Sequence, residues 1–317
     1  MFKEYPVQLG IMVYKIVSFL PSATEILFEL GAGDQIQAVT HECNYPIQAK
    51  SKPKVIHSSF DPNKMSSHEI DNKVVELVKS GQDIYILDEQ VLKNANPDLI
   101  VAQGICEVCS PYTREINRAV TLLGGKPEVL ILDPKNLDDI LQNVIEVGEK
   151  IGKQDNAEDF VAKLQKRINF IQDTPKISKP KVLCIEWLDP LYTAGHWIPQ
   201  MVDFAGGING ISSTGEKSRR MELDEIAQFD PDIIILMPCG FDVSRTISEY
   251  EKLVENVKWR SLRPVQQGEV YAVNANEYFS KPGPRTVTGL EILAKIIHPD
   301  TFRDIQIPEQ SIRRIEE

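Results

Sequence analysis

Two segments of this chain are near-copies of one another. Val91-Leu-Lys-Asn-Ala-Asn-Pro-Asp-Leu-Ile-Val101 in the first half is answered by Glu225-Ile-Ala-Gln-Phe-Asp-Pro-Asp-Ile-Ile-Ile235 in the second. Each has a helix end with apolar residues, a Pro-Asp step and an unbroken aliphatic run. Proline lacks an N–H and disfavours helical geometry in the residue before it, so it closes the helix. A short aliphatic run bounded this way suits a strand buried on both faces, as in a parallel sheet. The repeat predicts two similar α/β lobes with a ligand site between them.

A chain of 317 residues holds two domains of ordinary size, each with its own core. The net charge of −11, without a long basic run or basic-aromatic interleaving, argues against a nucleic-acid surface. No apolar run is long enough to cross a bilayer. The first residues, Met1 to Met12, lack both an apolar core and a small-residue cleavage site, so they do not read as a secretory signal. A cytoplasmic location is therefore expected, with Met12 as a second candidate start beside Met1. Five cysteines fit a reducing compartment better than a disulfide scaffold.

The first lobe is expected over 1–135. Lys15 to Leu20 reads as its opening strand and Ser22 to Leu30 as a helix. Ser22-Ala-Thr-Glu25 has capping-box spacing. The same helix N-terminus points at the presumed cleft, where its free N–H groups suit a polar ligand. From Leu137 to Gln172 apolar residues recur at helical spacing, with Gly152 to Asn156 as the one candidate interruption. This segment, within 136–175, is read as a single bridging helix. The second lobe, over 176–317, restarts with Val182 to Trp187. It continues through a loop at 188–196 and ends its core with strand Val270–Val273 and helix Thr286–Ile297.

Aromatic and polar residues gather in the loops that follow the strands, which is where open α/β sheets bind ligands. Tyr45, Trp187, Trp197, Phe241 and Tyr278 would give a broad apolar wall, with Ser22, Glu42, Glu107 and Arg285 as polar anchors. His196 lies between Gly195 and Trp197 in a loop rather than on an apolar face. It is the best single candidate to reach a ligand or a metal centre, although a satisfied structural histidine is the commoner outcome. His57, His68 and His298 read as surface residues.

His41-x-Cys43 and Cys106-x-x-Cys109 could supply four N/S ligands for zinc. Only one CxxC is present, however, and residues two apart on a strand face opposite sides. Free thiols near the cleft are expected instead. No Walker loop, GxSxG, HExxH or strand-linked GxGxxG occurs. Glu186 and Asp189 near His196 keep a hydrolytic or salvage enzyme open as an alternative.

Several strings carry a family resemblance. Ser18-Phe-Leu-Pro-Ser-Ala-Thr-Glu25, the paired Asn96-Pro-Asp and Asp230-Pro-Asp units, and Trp259 with Gly268-Glu-Val-Tyr271 resemble the class III periplasmic substrate-binding proteins of ABC importers. Thr40-His-Glu-Cys-Asn-Tyr-Pro46, Cys106-Glu-Val-Cys109, Ala194-Gly-His-Trp197, Cys239-Gly-Phe-Asp242 and Pro282-Gly-Pro-Arg285 are similar to the cobalamin-binding branch. The resemblance implies Rossmann-like lobes joined by a long backbone helix, with small hinge motion. It also implies non-enzymatic binding of a corrinoid in the cleft, no required cofactor, and delivery to a membrane permease. Haem, siderophore or metal-ion ligands are the alternatives within the family. Secretion, which the family implies, stands against the cytoplasmic expectation.

Overall fold

In the computed structural model, which describes residues 14–104 and 113–316, the two Pro-Asp units occupy the same place in two separate sheets. The first sheet contains β1 (Ile16–Ser18), β2 (Ile36–Thr40), β3 (Lys54–Ser58), β4 (Tyr85–Leu87), β5 (Leu99–Gln103) and β6 (Glu128–Leu132), in the order β4-β3-β2-β1-β5-β6. Its neighbours are parallel except β3 and β4. The second contains β7 (Val182–Leu188), β8 (Leu191–Thr193), β9 (Ile233–Leu236), β10 (Val270–Val273) and β11 (Ile312–Arg314), in the order β11-β10-β9-β7-β8. There β9 runs parallel to β7 and β10, while β8 and β11 are antiparallel edges.

Each Pro-Asp unit splices two elements together. Helix Glu89–Ala95 ends on Asn96 and helix Leu223–Phe229 on Asp230, both left-handed, with φ of 39° and 47°. The residue before proline thus makes the turn, and proline only prevents continuation. The following aspartate reaches the first strand of its own sheet. Lys15 N donates to Asp98 Oδ2 at 3.0 Å, and Lys181 N donates to Asp232 Oδ2 at 2.7 Å. Backbone donors at the two strand starts are satisfied in the same way. The second copy adds Arg263, which bonds both Asp230 and Asp232.

Alternate residues of the parallel strands enter opposite cores, as a period of two requires. Ile16, Leu99 and Val101 face one cluster, while Val17, Ile100 and Ala102 face another. Val182, Cys184, Ile233 and Ile235 are likewise separated from Leu183, Ile185, Ile234 and Leu236. Both sheets are therefore covered on both faces, as their aliphatic runs imply.

The bridge departs from expectation. Instead of one helix over 137–172 there are two, Leu137–Lys150 and Gln154–Asp173. Gly152, at φ 68°, adopts the left-handed conformation between them. The helices lie side by side, and a Cβ added at Gly148 would fall 2.4 Å from that of Ala157. Both span both lobes. Leu137, Ile140, Leu141, Leu164, Ile168 and Ile171, at the ends remote from the turn, join the second lobe's core. Val144, Val147, Ile151 and Ala157, around the turn, join the first lobe's core. Helical periodicity continues through the reversal, so the apolar spacing alone does not reveal it.

Three short strands were also not anticipated: β3, β8 inside the expected 188–196 loop, and β11 beyond the expected last strand. The latter two are three-residue edge strands, too short for a two-residue period to be legible.

Candidate functional site

The loops that follow the parallel strands meet between the lobes, and one ion pair organises the meeting. Helix Pro21–Glu29 follows β1 with proline in its first turn, and Leu20 rather than Ser22 is its N-cap. Ser22 and Glu25 therefore lie inside the helix, and the expected capping box does not form. Ser22 is buried against the Pro282-Gly-Pro-Arg285 turn of the other lobe, where a Cβ on Gly283 would come within 3.0 Å of its own. Glu25 faces Arg285. Its Oε2 accepts from Arg285 Nε at 3.0 Å and its Oε1 from Arg285 Nη2 at 2.6 Å, a two-point pair across the lobes. Burial pushes the Glu25 carboxyl up, and its bond to Arg285 opposes this only in part.

Arg285 collects the nearby aromatic rings. Its Cζ lies 4.2 Å from the centre of the Tyr45 ring and 5.9 Å from that of Tyr278. Its Nη1 reaches Glu277 at 3.3 Å. Tyr45 remains 43% exposed, whereas Tyr278 is buried. Tyr45 from one strand-end loop thus meets Tyr278 and Arg285 from another.

A second aromatic group lies on the second lobe. Trp187 packs against Phe241 with ring centres 5.4 Å apart, and Arg245 covers Phe241 with its Cζ 3.8 Å from that ring. Arg245 Nη2 also donates to the carbonyls of Pro62 and Met65 in the first lobe, at 2.7 and 2.9 Å. Phe241 itself is buried, so it backs Trp187 rather than offering a face. Trp187 is half-buried, and among the described residues nothing pairs with its buried Nε1.

Trp197, expected beside it in the wall, is instead a core residue. It is buried with the second lobe's apolar cluster, and its Nε1 donates to Phe279 O at 3.0 Å. Its neighbour His196 differs. It is half-buried with φ 56°, and the 213–218 segment holds its backbone through His196 N to Glu216 O and Gly215 N to His196 O. Its buried Nδ1 has no partner among the described residues. Burial lowers its pKa, with Lys135 and Lys217 acting in the same direction, so the neutral ring is favoured.

The remaining candidates divide. Glu42 is exposed on the Tyr45 loop. Glu107, Cys106 and Cys109 lie outside the described residues. Cys43 is buried, with its sulfur 3.1 Å from Thr24 Oγ1 and 3.2 Å from Thr40 Oγ1, and burial pushes the thiol up. His41 turns Nδ1 to the carbonyl of Ile56 at 3.2 Å. Among the described residues no group of His, Cys, Asp or Glu could hold a metal ion. Glu186 accepts from Ser218 Oγ at 2.7 Å, and Asp189 meets His68 at 3.4 Å across the lobes. His298, expected at the surface, is buried, with Nε2 3.3 Å from Gly206 O.

Residue spacing did not single out the outer seam. Arg220 Nη2 donates to Asp71 at 2.9 Å, and Ser67 donates to Glu249 Oε2 through its N and Oγ, at 3.1 and 2.7 Å. Ser67, Asp71 and Glu249 sit on helices and Arg220 on an isolated β-bridge to Tyr192, places that look the same in sequence whether they meet water or another lobe.

The family model for periplasmic binding proteins matches residues 16–277. The chain is 26% identical over 300 residues to an ABC transporter substrate-binding lipoprotein of Bacillus subtilis strain 168, covering 92% of this chain and 82% of that one. It is 24% identical over 296 residues to a vitamin B12-binding protein of Vibrio cholerae, covering 87% and 86%. Among solved structures, the periplasmic heme-binding protein RhuT from Roseiflexus superposes with a TM-score of 0.68 at 19% identity, covering 90% and 98% of the two chains. The periplasmic vitamin B12-binding protein BtuF of Vibrio cholerae gives 0.62 at 19% identity, covering 92% and 99%. No helix among the described residues is long and apolar enough to cross a membrane. The family is one of periplasmic proteins and lipoproteins, so the cytoplasmic expectation finds no support. The chain belongs to the periplasmic binding protein family, within the class III group of solute-binding proteins that serve ABC importers.

Proposed function

We propose that this substrate-binding protein carries a corrinoid, held between the lobes against Tyr45 and Trp187 and passed to a membrane permease. A corrin has wide apolar faces and a rim of neutral amides. The observation that carries this reading is the state of the arginines between the lobes. Arg285 is occupied by Glu25 and Glu277, Arg220 by Asp71, and Arg245 by two carbonyls. These cations are already neutralised or bonded, which suits an amide rim better than the carboxylates of a porphyrin. The unpaired Nε1 of Trp187 and Nδ1 of His196 are polar groups of the kind that amides satisfy. The vitamin B12-binding relatives support the same ligand class.

The second reading is an iron porphyrin, favoured by the exposed Tyr45 phenol, an oxygen donor suited to ferric iron. Titration with cyanocobalamin and with hemin, followed by gel filtration with visible absorbance, separates the two. Cyanocobalamin should co-elute, and Trp187→Ala should cost about 2 kcal/mol of affinity. Trp197→Ala should instead lower stability. Co-elution of hemin alone would overturn the corrinoid reading.

A further inference from the structure

Glu25 is a nearly inaccessible carboxylate inside a helix, and its main partner comes from the other lobe. We infer that Glu25 is a positioning residue, working through Arg285 to hold the Tyr45 ring that the ligand meets. The inference rests on the reading above that Tyr45 faces the ligand.

Two bonds from Arg285 to both oxygens of Glu25 fix the plane of the guanidinium, not only its place. That group sits against the Tyr45 ring at 4.2 Å, so the orientation of the arginine restrains the orientation of the ring. Neither partner can drift freely. Glu25 is on helix Pro21–Glu29, and Arg285 is the N-cap of helix Thr286–Ile297. The close approach of Gly283 to Ser22 leaves no slack between the two elements. Tyr45, by contrast, stands on a loop and is 43% exposed. It keeps this exposure beside the guanidinium, and that exposed surface is the part offered to a ligand. The binding wall of the first lobe is thus set by an arginine of the second, which makes ring placement depend on the approach of the lobes.

The test uses the full chain with 3-fluorotyrosine incorporated and the Tyr45 resonance assigned by Tyr45→Phe. In ligand-free protein, Glu25→Gln should shift or broaden the Tyr45 fluorine signal, and Arg285→Lys, which keeps charge without the fork, should do the same. An unmoved Tyr45 signal in both variants overturns the inference, whatever any ligand does. If the glutamine variant does not fold, Arg285→Lys carries the test alone. Cyanocobalamin titration then forms a double-mutant cycle. Glu25→Gln should weaken binding about tenfold in the parent and less than about twofold in a Tyr45→Ala background. Equal losses in both backgrounds would also overturn it. A parent that does not bind cyanocobalamin would sink the corrinoid reading while leaving the fluorine result to decide the inference.

Discussion

The lobes touch along two seams built from the same chemistry in different surroundings. In the inner seam the side chains of Arg285 and Glu25 are 16% and 4% exposed. In the outer seam Arg220 and Asp71 are 57% and 17% exposed, and His68 and Asp189 are each 60% exposed. Water screens the outer pairs and competes for their hydrogen bonds, so they contribute little to stability. The inner pair has lost most of its hydration, and each partner depends on the other to remain charged and buried. The inner seam therefore fixes the arrangement, whereas the ion pairs of the outer seam close the rim with contacts that exchange readily with solvent, beside the sheltered bonds from Ser67 to Glu249.

The largest effect should come from Arg285→Ala, which strands the Glu25 carboxylate and should cost about 3–5 kcal/mol in denaturant unfolding. A loss no larger than that of Arg220→Ala would erase the distinction between the seams. Arg245→Ala should be intermediate, at about 1–2 kcal/mol, because it removes the contact with Phe241 and two carbonyl bonds. A loss matching that of Arg285→Ala would mean the inner seam extends to Arg245. Arg220→Ala should cost less than about 1 kcal/mol. The smallest effect is expected from salt. Raising sodium chloride from about 0.05 to about 0.5 M should shrink the Arg220→Ala penalty while leaving that of Arg285→Ala nearly unchanged. Parallel shrinkage of both would place the pairs in equally wet surroundings.

The sequence is most legible where period and chain punctuation coincide. The Pro-Asp units announce an interior strand of each sheet because their aliphatic runs are buried on two faces. Their aspartates also cap neighbouring strands, a role that proline punctuation alone does not disclose. The capping-box reading of Ser22 and Glu25 fails because that box is a local pattern, and Pro21 in the first turn puts the cap at Leu20, two residues earlier. Glu25 then serves a partner far away in the chain. Trp187 and Trp197 look equivalent in sequence, yet one keeps its N–H unpaired between lobes and the other spends it on Phe279. Only the register of β7 and the turn at His196 separate them. Arg245 and Glu249 give no sequence signal, because an amphipathic helix shows which face is polar and not what that face meets.

The paired helices at 137–150 and 154–173 alter the mechanics of the molecule. A lone rod between two bodies resists bending but lets them twist about its axis. Two rods side by side, each anchored in both cores and touching at Gly148 and Ala157, resist torsion as well. Any relative motion of the lobes should therefore be a tipping rather than a twist about the helix axis. Were the lobes to part, Tyr45 and Arg285 would meet again in the same registration.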